Sequence, residues 1–471
     1  MLTNSATTVR SITPKNGRHM RGINPTTEQP LTDYPELDDA QVEQRLEQAE
    51  AAFRQWRDVA FAERAEKMRT LAAALRDQKP RLAGVMTDEM GKPITQAEGE
   101  IEKCAWVCEH YAEHAESYLA ERMIETDATR SYVRHDPIGP VLAIMPWNFP
   151  YWQVFRFAAP GVMAGNVGLL KHASNVPGCA TAIEELFHQS GFPPGVFTAL
   201  MIPTSKVDDV IAHSAVRAVT LTGSERAGKS VAAQAGKHIK KSVLELGGSD
   251  PMLVLADADP QQAAELACKS RTINAGQSCI AAKRFLVEEP IADRFEEALI
   301  AQMESLKIGD PRDRETQIGP LAREDLLIDL HDQVQKSIHD GAELRLGGQR
   351  INRDGYFYAP TVLTGVRPGM VAFEEETFGP LAAVTRGGSA EELVELANRS
   401  TFGLGACIVT PDTDRAAKLA AKIESGCVFV NEMVKSDPRV PFGGVKRSGY
   451  GRELAGVGIR EFVNIKTVWI Q

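Results

Sequence analysis

Three short segments hold residue types that could act on a carbonyl, and a fourth could hold phosphate. Ala275-Gly-Gln-Ser-Cys279 sets a cysteine in a glycine-containing turn between a helical and a strand-like stretch. A nucleophilic cysteine needs partial exposure and a lowered pKa, and a turn beside backbone N–H groups can supply both. Leu244-Glu245-Leu246-Gly247-Gly248 places one acid between two leucines, just ahead of a glycine turn. A carboxyl in apolar surroundings titrates late and can take a proton near neutral pH. Pro146-Trp147-Asn148-Phe149-Pro150 brackets one amide with two aromatics and two prolines. Such a stiff loop can aim an N–H₂ donor at a developing oxyanion. Each also has a plain structural reading when taken singly: a small buried hydrophobe, a turn cap, an amide satisfying its own loop.

The fourth segment, Gly223-Ser-Glu-Arg-Ala-Gly228-Lys229-Ser230, fits the phosphate-loop pattern G-x-x-x-x-G-K-[ST] in full. It follows a strand-like run and opens a helical one. The apolar residues 252–255, with Asp257 beyond, could pass for the accompanying Mg²⁺-binding strand. A strand–glycine–helix turn aims backbone N–H groups at phosphate oxygens, and an ATP triphosphate or a dinucleotide pyrophosphate suits it equally. The motif by itself leaves a phosphotransferase and a dehydrogenase both open.

Something must hold these segments in place. Over residues 39–103 apolar residues recur at helical spacing, among many Ala, Glu, Gln and Arg. Residues 132–135 alternate like a strand. Short apolar runs follow at 141–145, stopped by Pro146, and at 168–170, ending at Lys171, then at 197–202, 218–221 and 252–255. Helical patterns lie between them at 179–190, 205–211 and 225–237. That alternation implies a parallel sheet of doubly wound type. The second half repeats it, with helices expected at 260–275, 291–305, 323–340, 390–398 and 413–423 and short runs at 285–287, 381–384, 406–409 and 428–430. A second α/β domain therefore begins near residues 245–249, where two glycines break the pattern. Residues 459–470 end in an alternating run, and a terminal strand needs a partner, which another subunit could provide.

The composition is that of an ordinary globular protein, 43% hydrophobic and 25% charged over 471 residues. A net charge of -10 gives nucleic acid and anionic lipid little to bind. No apolar run approaches the roughly 18 residues of a membrane helix. The N-terminus is basic and free of acids but lacks the apolar stretch of a secretory signal, and reads as a disordered tail. Seven scattered cysteines, with no paired C-x-x-C, argue against a disulfide framework or a metal site and fit a reducing, cytoplasmic setting.

Taken together, and in this order, Asn148, Glu245 and Cys279 resemble the aldehyde dehydrogenase superfamily. The resemblance spans about residues 24–469 and is carried further by Lys171, Gly223-Ser224, Glu376-Thr-Phe-Gly-Pro380, Pro441-Phe-Gly-Gly444 and Ser448-Gly-Tyr-Gly-Arg-Glu453. It implies a dinucleotide-binding doubly wound domain (21–117 and 137–245), a catalytic α/β domain (246–445) and a small β oligomerisation arm (118–136 and 446–471), after a tail at 1–20. It implies that Cys279 attacks an aldehyde and carries the acyl group as a thioester. The Asn148 amide and the Cys279 N–H would hold the oxyanion, and Glu245 would activate water. For the cofactor, Ile144, Met145, Pro146 and Trp147 would line the nicotinamide side. Lys171, followed by His172, Ala173 and Ser174, would reach the adenosine ribose and its phosphate. Gly223 and Ser224 would contact the pyrophosphate, Leu246 the nicotinamide amide, and Glu376 the nicotinamide ribose with Phe378 nearby. On this reading Lys229 and Ser230 complete the ATP-loop pattern by accident. Members strict for NAD⁺ carry an acid where this chain has Ser174. A small hydroxyl beside Lys171 leaves room and a donor for a 2′-phosphate, so NADP⁺ is expected ahead of NAD⁺.

Residues 145–156 and 171–176 resemble bacterial succinate-semialdehyde dehydrogenases, with Arg156 where those enzymes place a carboxylate-binding arginine. Two departures stand out. A second arginine, six residues before the nucleophile, is Ile273 here; Arg271 and Arg439 are the available substitutes. A second cysteine, two residues after it, is Ala281, so no local disulfide is expected. Succinate semialdehyde is therefore the expected substrate, with a broad-specificity enzyme for other small aldehydes, or a P-loop nucleotide hydrolase, as alternatives. The resemblance also implies a homodimer or a dimer of dimers.

Overall fold

The computed structural model describes residues 19–471, and within them two parallel sheets meet near residue 247. The first sheet has six strands, in the order Gly449–Tyr450, Lys241–Glu245, Ala218–Thr222, Pro140–Met145, Val167–His172 and Phe197–Ala199. All pair in parallel except the two-residue strand Gly449–Tyr450, which runs antiparallel to Lys241–Glu245. Val167–His172 and Ala218–Thr222 are buried along their whole length, which is why they read as unbroken apolar runs rather than alternating ones. Four helices at Asp39–Trp56, Phe61–Asp77, Lys79–Met90 and Ile94–Tyr118 share the core of this sheet. The first starts at Asp38 in a reciprocal capping box with Gln41. The third stops at Gly91, whose φ of 77° is the left-handed turn that ends a helix.

The second sheet has seven strands, in the order Glu343–Leu346, Thr361–Thr364, Leu381–Gly387, Ala282–Glu288, Asp250–Val254, Gly405–Val409 and Cys427–Val430. Its pairs are parallel except at the outer hairpin of the first two. The chain passes from one sheet to the other across Leu246–Ser249, between Lys241–Glu245 and Asp250–Val254. A separate three-stranded antiparallel sheet joins Arg122–Met123, Arg130–Pro137 and Val463–Ile470.

Four features differ from the sequence expectation. Residues 1–18 of the expected tail lie outside the described residues, but His19 and Met20 belong to a strand, His19–Ile23, paired with Pro30–Pro35. Lys241–Glu245, whose last residue is the candidate base, is a strand of its own. Trp152–Met163 is a helix with all 12 residues buried, so it shows no polar face from which a helical period could be read. The helix expected over 260–275 ends at Thr272. Asn274 and Ala275 then turn left-handed, with φ of 54° and 53°.

Candidate active site

The C-terminal ends of the six-stranded sheet gather the predicted segments, as an open parallel sheet does for its ligands. Pro140–Met145 runs into the proline-bracketed loop, Ala218–Thr222 into Gly223, and Lys241–Glu245 ends on the candidate base. The cysteine comes from the other sheet, just ahead of Ala282–Glu288.

The left-handed run before Cys279 is tied down on every side. Asn274 Nδ2 donates to the carbonyls of Asn148 (2.8 Å) and Gln277 (3.2 Å). Asn148 Nδ2 in turn donates to the Gln277 carbonyl at 3.1 Å. Lys283, fully buried, donates to the Ser278 and Cys279 carbonyls at 2.9 and 2.8 Å. Arg271 donates to the carbonyls of Gly276 and Thr377 at 3.2 and 2.9 Å, and to that of Gly379. These buried donors hold a backbone shape that two non-glycine residues adopt only at a cost.

Cys279 stands where two cavities meet. One, about 340 Å³, is lined by Pro146, Trp147, Asn148, Gly223, Ser224, Leu246, Glu376 and Phe378, together with Gln153, Thr222, Gly247, Arg323 and Leu326. The other, about 270 Å³, is lined by Phe149, Trp152, Arg156, Ile273, Ile280, Phe442 and neighbouring residues. Cys279 and Gln153 face both. The thiol departs from the sequence expectation. Burial pushes its pKa up to about 12, and Arg156 and Lys283 pull it back only in part. The N–H-rich turn therefore does not by itself produce a thiolate.

Glu245 behaves as its apolar setting suggests. Burial, and then the neighbouring carboxyl of Glu453, hold its pKa well above the ordinary carboxylate range. Neither of its oxygens has a hydrogen-bond partner among the described residues. It lines neither cavity, and Oε1 lies against the Gly443 backbone, 2.6 Å from where a Cβ there would sit. Arg156 also differs from expectation. It does line the second cavity, but its Nε lies 2.7 Å from Glu453 Oε2, out of line for a hydrogen bond, with both side chains buried. Its Nη2 reaches Thr222 Oγ1 at 3.4 Å. Neither substitute arginine is available: Arg271 is spent on loop carbonyls, and Arg439 pairs with Asp437 at 2.7 Å outside the cavity lining.

Of the expected cofactor residues, Pro146, Trp147, Gly223, Ser224, Leu246, Glu376 and Phe378 line the first cavity, and Ile144, Met145, Lys171, His172, Ala173 and Ser174 do not. Lys171 is buried at the end of its strand, and burial alone lowers its pKa, with no carboxylate countering it. Ser174 is exposed just beyond. His172 is turned inward. Its Nδ1 and Nε2 lie 3.1 and 2.9 Å from the Met145 and Pro150 carbonyls, and burial lowers its pKa to about 4. It fastens two strand ends instead of facing a ligand. Glu376 accepts from the Gly248 N–H at 3.0 Å and lies 3.4 Å from Lys283 Nζ.

The ATP-loop reading fails on geometry. Lys229 is 70% exposed and pairs with Glu225 one turn back on its own helix, so it does not fold over the loop. Gly228 is explained by packing, because Leu246 Cδ1 and Cδ2 lie 2.7 Å from where its Cβ would sit. The supposed Mg²⁺ strand Asp250–Val254 is in the other sheet, and Asp257 accepts from Thr410 Oγ1 at 2.9 Å.

Sequence reasoning missed Asn274, Lys283 and Gln153. Each sits in a helix, strand or turn where its residue type is common, so no local signal marks it.

The chain matches the model of the aldehyde dehydrogenase family over residues 12–468. It belongs to that family. It is 50% identical over 448 residues to a probable succinate-semialdehyde dehydrogenase [NADP(+)] of Synechocystis sp., covering 95% of this chain and 99% of that one. It is 48% identical over 459 residues to the succinate semialdehyde dehydrogenase [NAD(P)+] of Escherichia coli K12, covering 98% and 99%. The crystal structure of a Streptococcus pyogenes succinic semialdehyde dehydrogenase in complex with NADP+ superposes with a TM-score of 0.94 at 40% identity, covering 96% of this chain and 99% of that one.

Proposed function

We propose that this chain oxidises succinate semialdehyde to succinate, with NADP⁺ as hydride acceptor, through a thioester on Cys279. The observation that carries the reading is the position of Cys279, facing at once a cavity walled by Gly223, Ser224 and Leu246 and a second one walled by aromatic rings and cations. The similarity to NADP⁺-using succinate-semialdehyde dehydrogenases supports the substrate and the cofactor.

The residues present fit the cofactor. Gly223 begins a helix start whose N–H groups suit a pyrophosphate, with open space beside it: a Cβ there would meet nothing nearer than 3.7 Å. Lys171 is buried with no acid paired to it among the described residues, and Ser174 adds a hydroxyl near the strand end, a pair that suits a 2′-phosphate. NADP⁺, when bound, takes the hydride released from the substrate carbon. On the protein's side, Cys279 gives its proton to water and its sulfur bonds to the aldehyde carbon, as the carbonyl electron pair moves onto oxygen. Asn148 Nδ2 and the Cys279 N–H donate to that oxygen. After oxidation the acyl group remains on sulfur. Water then adds to the thioester, Glu245 takes its proton, and the carbon–sulfur bond breaks to return Cys279. Among the described residues no hydrogen bond holds the Glu245 carboxyl, which leaves both its oxygens available to that water.

The chain further assembles, on this proposal, as a homodimer or a dimer of dimers through the three-stranded sheet. Val463–Ile470 is the edge of that sheet, with Ile465, Trp469 and Ile470 exposed. Seven unpaired cysteines support a reducing, cytoplasmic setting.

The test is kcat/KM for succinate semialdehyde against butanal, each with NADP⁺ and NAD⁺, alongside Cys279→Ala assayed for dehydrogenase and esterase activity. Preference for the carboxylated aldehyde and for NADP⁺, with both activities lost in Cys279→Ala, is expected. Dehydrogenase activity in Cys279→Ala overturns the thioester route, and a preference for butanal or for NAD⁺ overturns that part of the assignment.

A further inference from the structure

The helix Ile94–Tyr118 carries two polar side chains that the route above does not use, Gln96 and Glu100. They are four residues apart, so they share a face and stand about 6 Å from each other along the axis. Gln96 Oε1 accepts the backbone N–H of Asn274 at 2.8 Å. Asn274 is the left-handed residue whose side chain donates to the Asn148 carbonyl. Glu100 Oε1 accepts the N–H groups of Tyr151 and Trp152, both at 2.9 Å. These are two of the four orphan donors that open the helix Trp152–Met163, whose N-cap Tyr151 supplies no side-chain hydrogen bond. The proline-bracketed loop that carries Asn148 ends there. One helix face thus holds both the turn that presents Cys279 and the loop that presents Asn148.

Glu100 is itself braced. Its Oε2 pairs with Lys92, from the turn before the helix, and the two residues are 5% and 1% exposed. Lys92 Nζ also lies 3.7 Å from the centre of the Phe149 ring. The pair therefore grips the loop on both sides of Pro150. A carboxylate accepts from all three donors, whereas a glutamine amide would turn an N–H₂ toward the ammonium. A buried ion pair adds little stability over apolar side chains of the same volume, and fixing one arrangement is its best attested use. Glu100 lines the second cavity, but it has only acceptors, all turned to donors of the protein, and offers nothing to an aldehyde oxygen. We propose that Glu100, braced by Lys92, is a positioning residue of the oxyanion site. With Gln96 it sets the separation between the Asn148 amide and the Cys279 N–H, the two donors that must meet on one oxygen. This rests on the oxyanion role given to Asn148 above.

The experiment places Glu100→Ala, Glu100→Gln and Lys92→Met in the wild-type chain and in Asn148→Ala. It reads the first-turnover rate with butanal and NADP⁺, the first-turnover rate with p-nitrophenyl acetate, KM for butanal and Kd for NADP⁺. Removing one oxyanion donor outright costs about 10²- to 10³-fold, and loosening one costs less. Glu100→Ala should slow the first turnover about ten- to a hundredfold, by the same factor for aldehyde and ester, because both reactions charge the same oxygen. KM and Kd should hardly move, and Glu100→Gln, which keeps an acceptor for the two N–H groups, should recover part of the rate. In Asn148→Ala the same substitutions should cost almost nothing more, because the donor they position is gone. A loss of equal size in that background, a loss that appears in KM or Kd instead, or a first turnover unchanged in Glu100→Ala overturns the role of Glu100 while that of Asn148 stands. Asn148→Ala that keeps the full first-turnover rate overturns both. Should Glu100→Ala fail to fold, Glu100→Gln and Lys92→Met complete the same cycle.

Discussion

At the scale of single residues, the carboxyl of Glu245 is the most consequential group. On the proposed route it acts as a base only when ionised, and burial together with Glu453 delays that ionisation. The sign follows directly: the ionised form exists above a raised pKa, so hydrolysis of the thioester is lost as pH falls through it. The acid limb of kcat should therefore lie well above the ordinary 4.5 of a glutamate. Glu453→Gln removes the neighbouring negative charge and frees Arg156, and both changes move that limb to lower pH. Glu245→Gln should leave a rapid burst of about one reduced cofactor per site, followed by turnover slowed about 10²- to 10⁴-fold. A stopped-flow trace checks this; a mutant slow from the first turnover would give Glu245 a role before hydrolysis. Asn148, Glu245 and Cys279 could be singled out in the sequence only together, through their order along the chain, because each taken singly has a plain structural reading. Lys283 could not be singled out at all. A lysine at the start of a strand reads as one that faces solvent, and only its burial against the Ser278 and Cys279 carbonyls tells them apart.

At the scale of elements, Ile273–Gly276 is the piece that makes the site possible, and it was read from sequence as the end of a helix. Nothing in Ile-Asn-Ala-Gly forces a left-handed run; its shape is imposed by Arg271 and Lys283 gripping carbonyls from below and by Asn274 bridging to Asn148. Both roles of Asn274, its backbone conformation and its side-chain amide, can be separated. Asn274→Ala loses both, at about 1–2 kcal/mol for the left-handed residue and about 1 for each lost hydrogen bond. Asn274→Gly loses only the bonds. Chemical denaturation should place Asn274→Gly between wild type and Asn274→Ala, while kcat falls about equally in both because the Asn148 loop is released in each. Equal stability of the two variants would show that the backbone strain is negligible. The helix Trp152–Met163 escaped notice for the opposite reason. Burial on every side erased the periodicity that usually announces a helix.

At the scale of the whole molecule, the alternation of strands and helices was enough to anticipate two parallel sheets, because each buried strand is a short apolar run between glycine or proline breaks. The division of the C-terminal residues was not visible. Gly449–Tyr450 joins the six-stranded sheet while Val463–Ile470 leaves for the small one, and two residues carry too little pattern to be read as a strand. Among the described residues Val463–Ile470 pairs on one side only, with Arg130–Pro137. Ile465 is 62% exposed and Trp469 50%, on the same face of the strand. A soluble single chain tends to blunt such an edge with charge or a bulge. Lys466 does not serve here, since its ammonium pairs back onto Asp136 within the same sheet. An edge left apolar is suited to a second copy. Light scattering of wild type should then give a multiple of 51.4 kDa. The double variant Ile465→Lys, Trp469→Lys sets like charges against each other across any symmetric contact, and should shift the mass toward a single chain and make thermal stability independent of protein concentration. Because the edge lies in a different sheet from Cys279, a monomeric variant should still release its first reduced cofactor in a burst. A variant that keeps the wild-type mass would place the subunit contact on another surface.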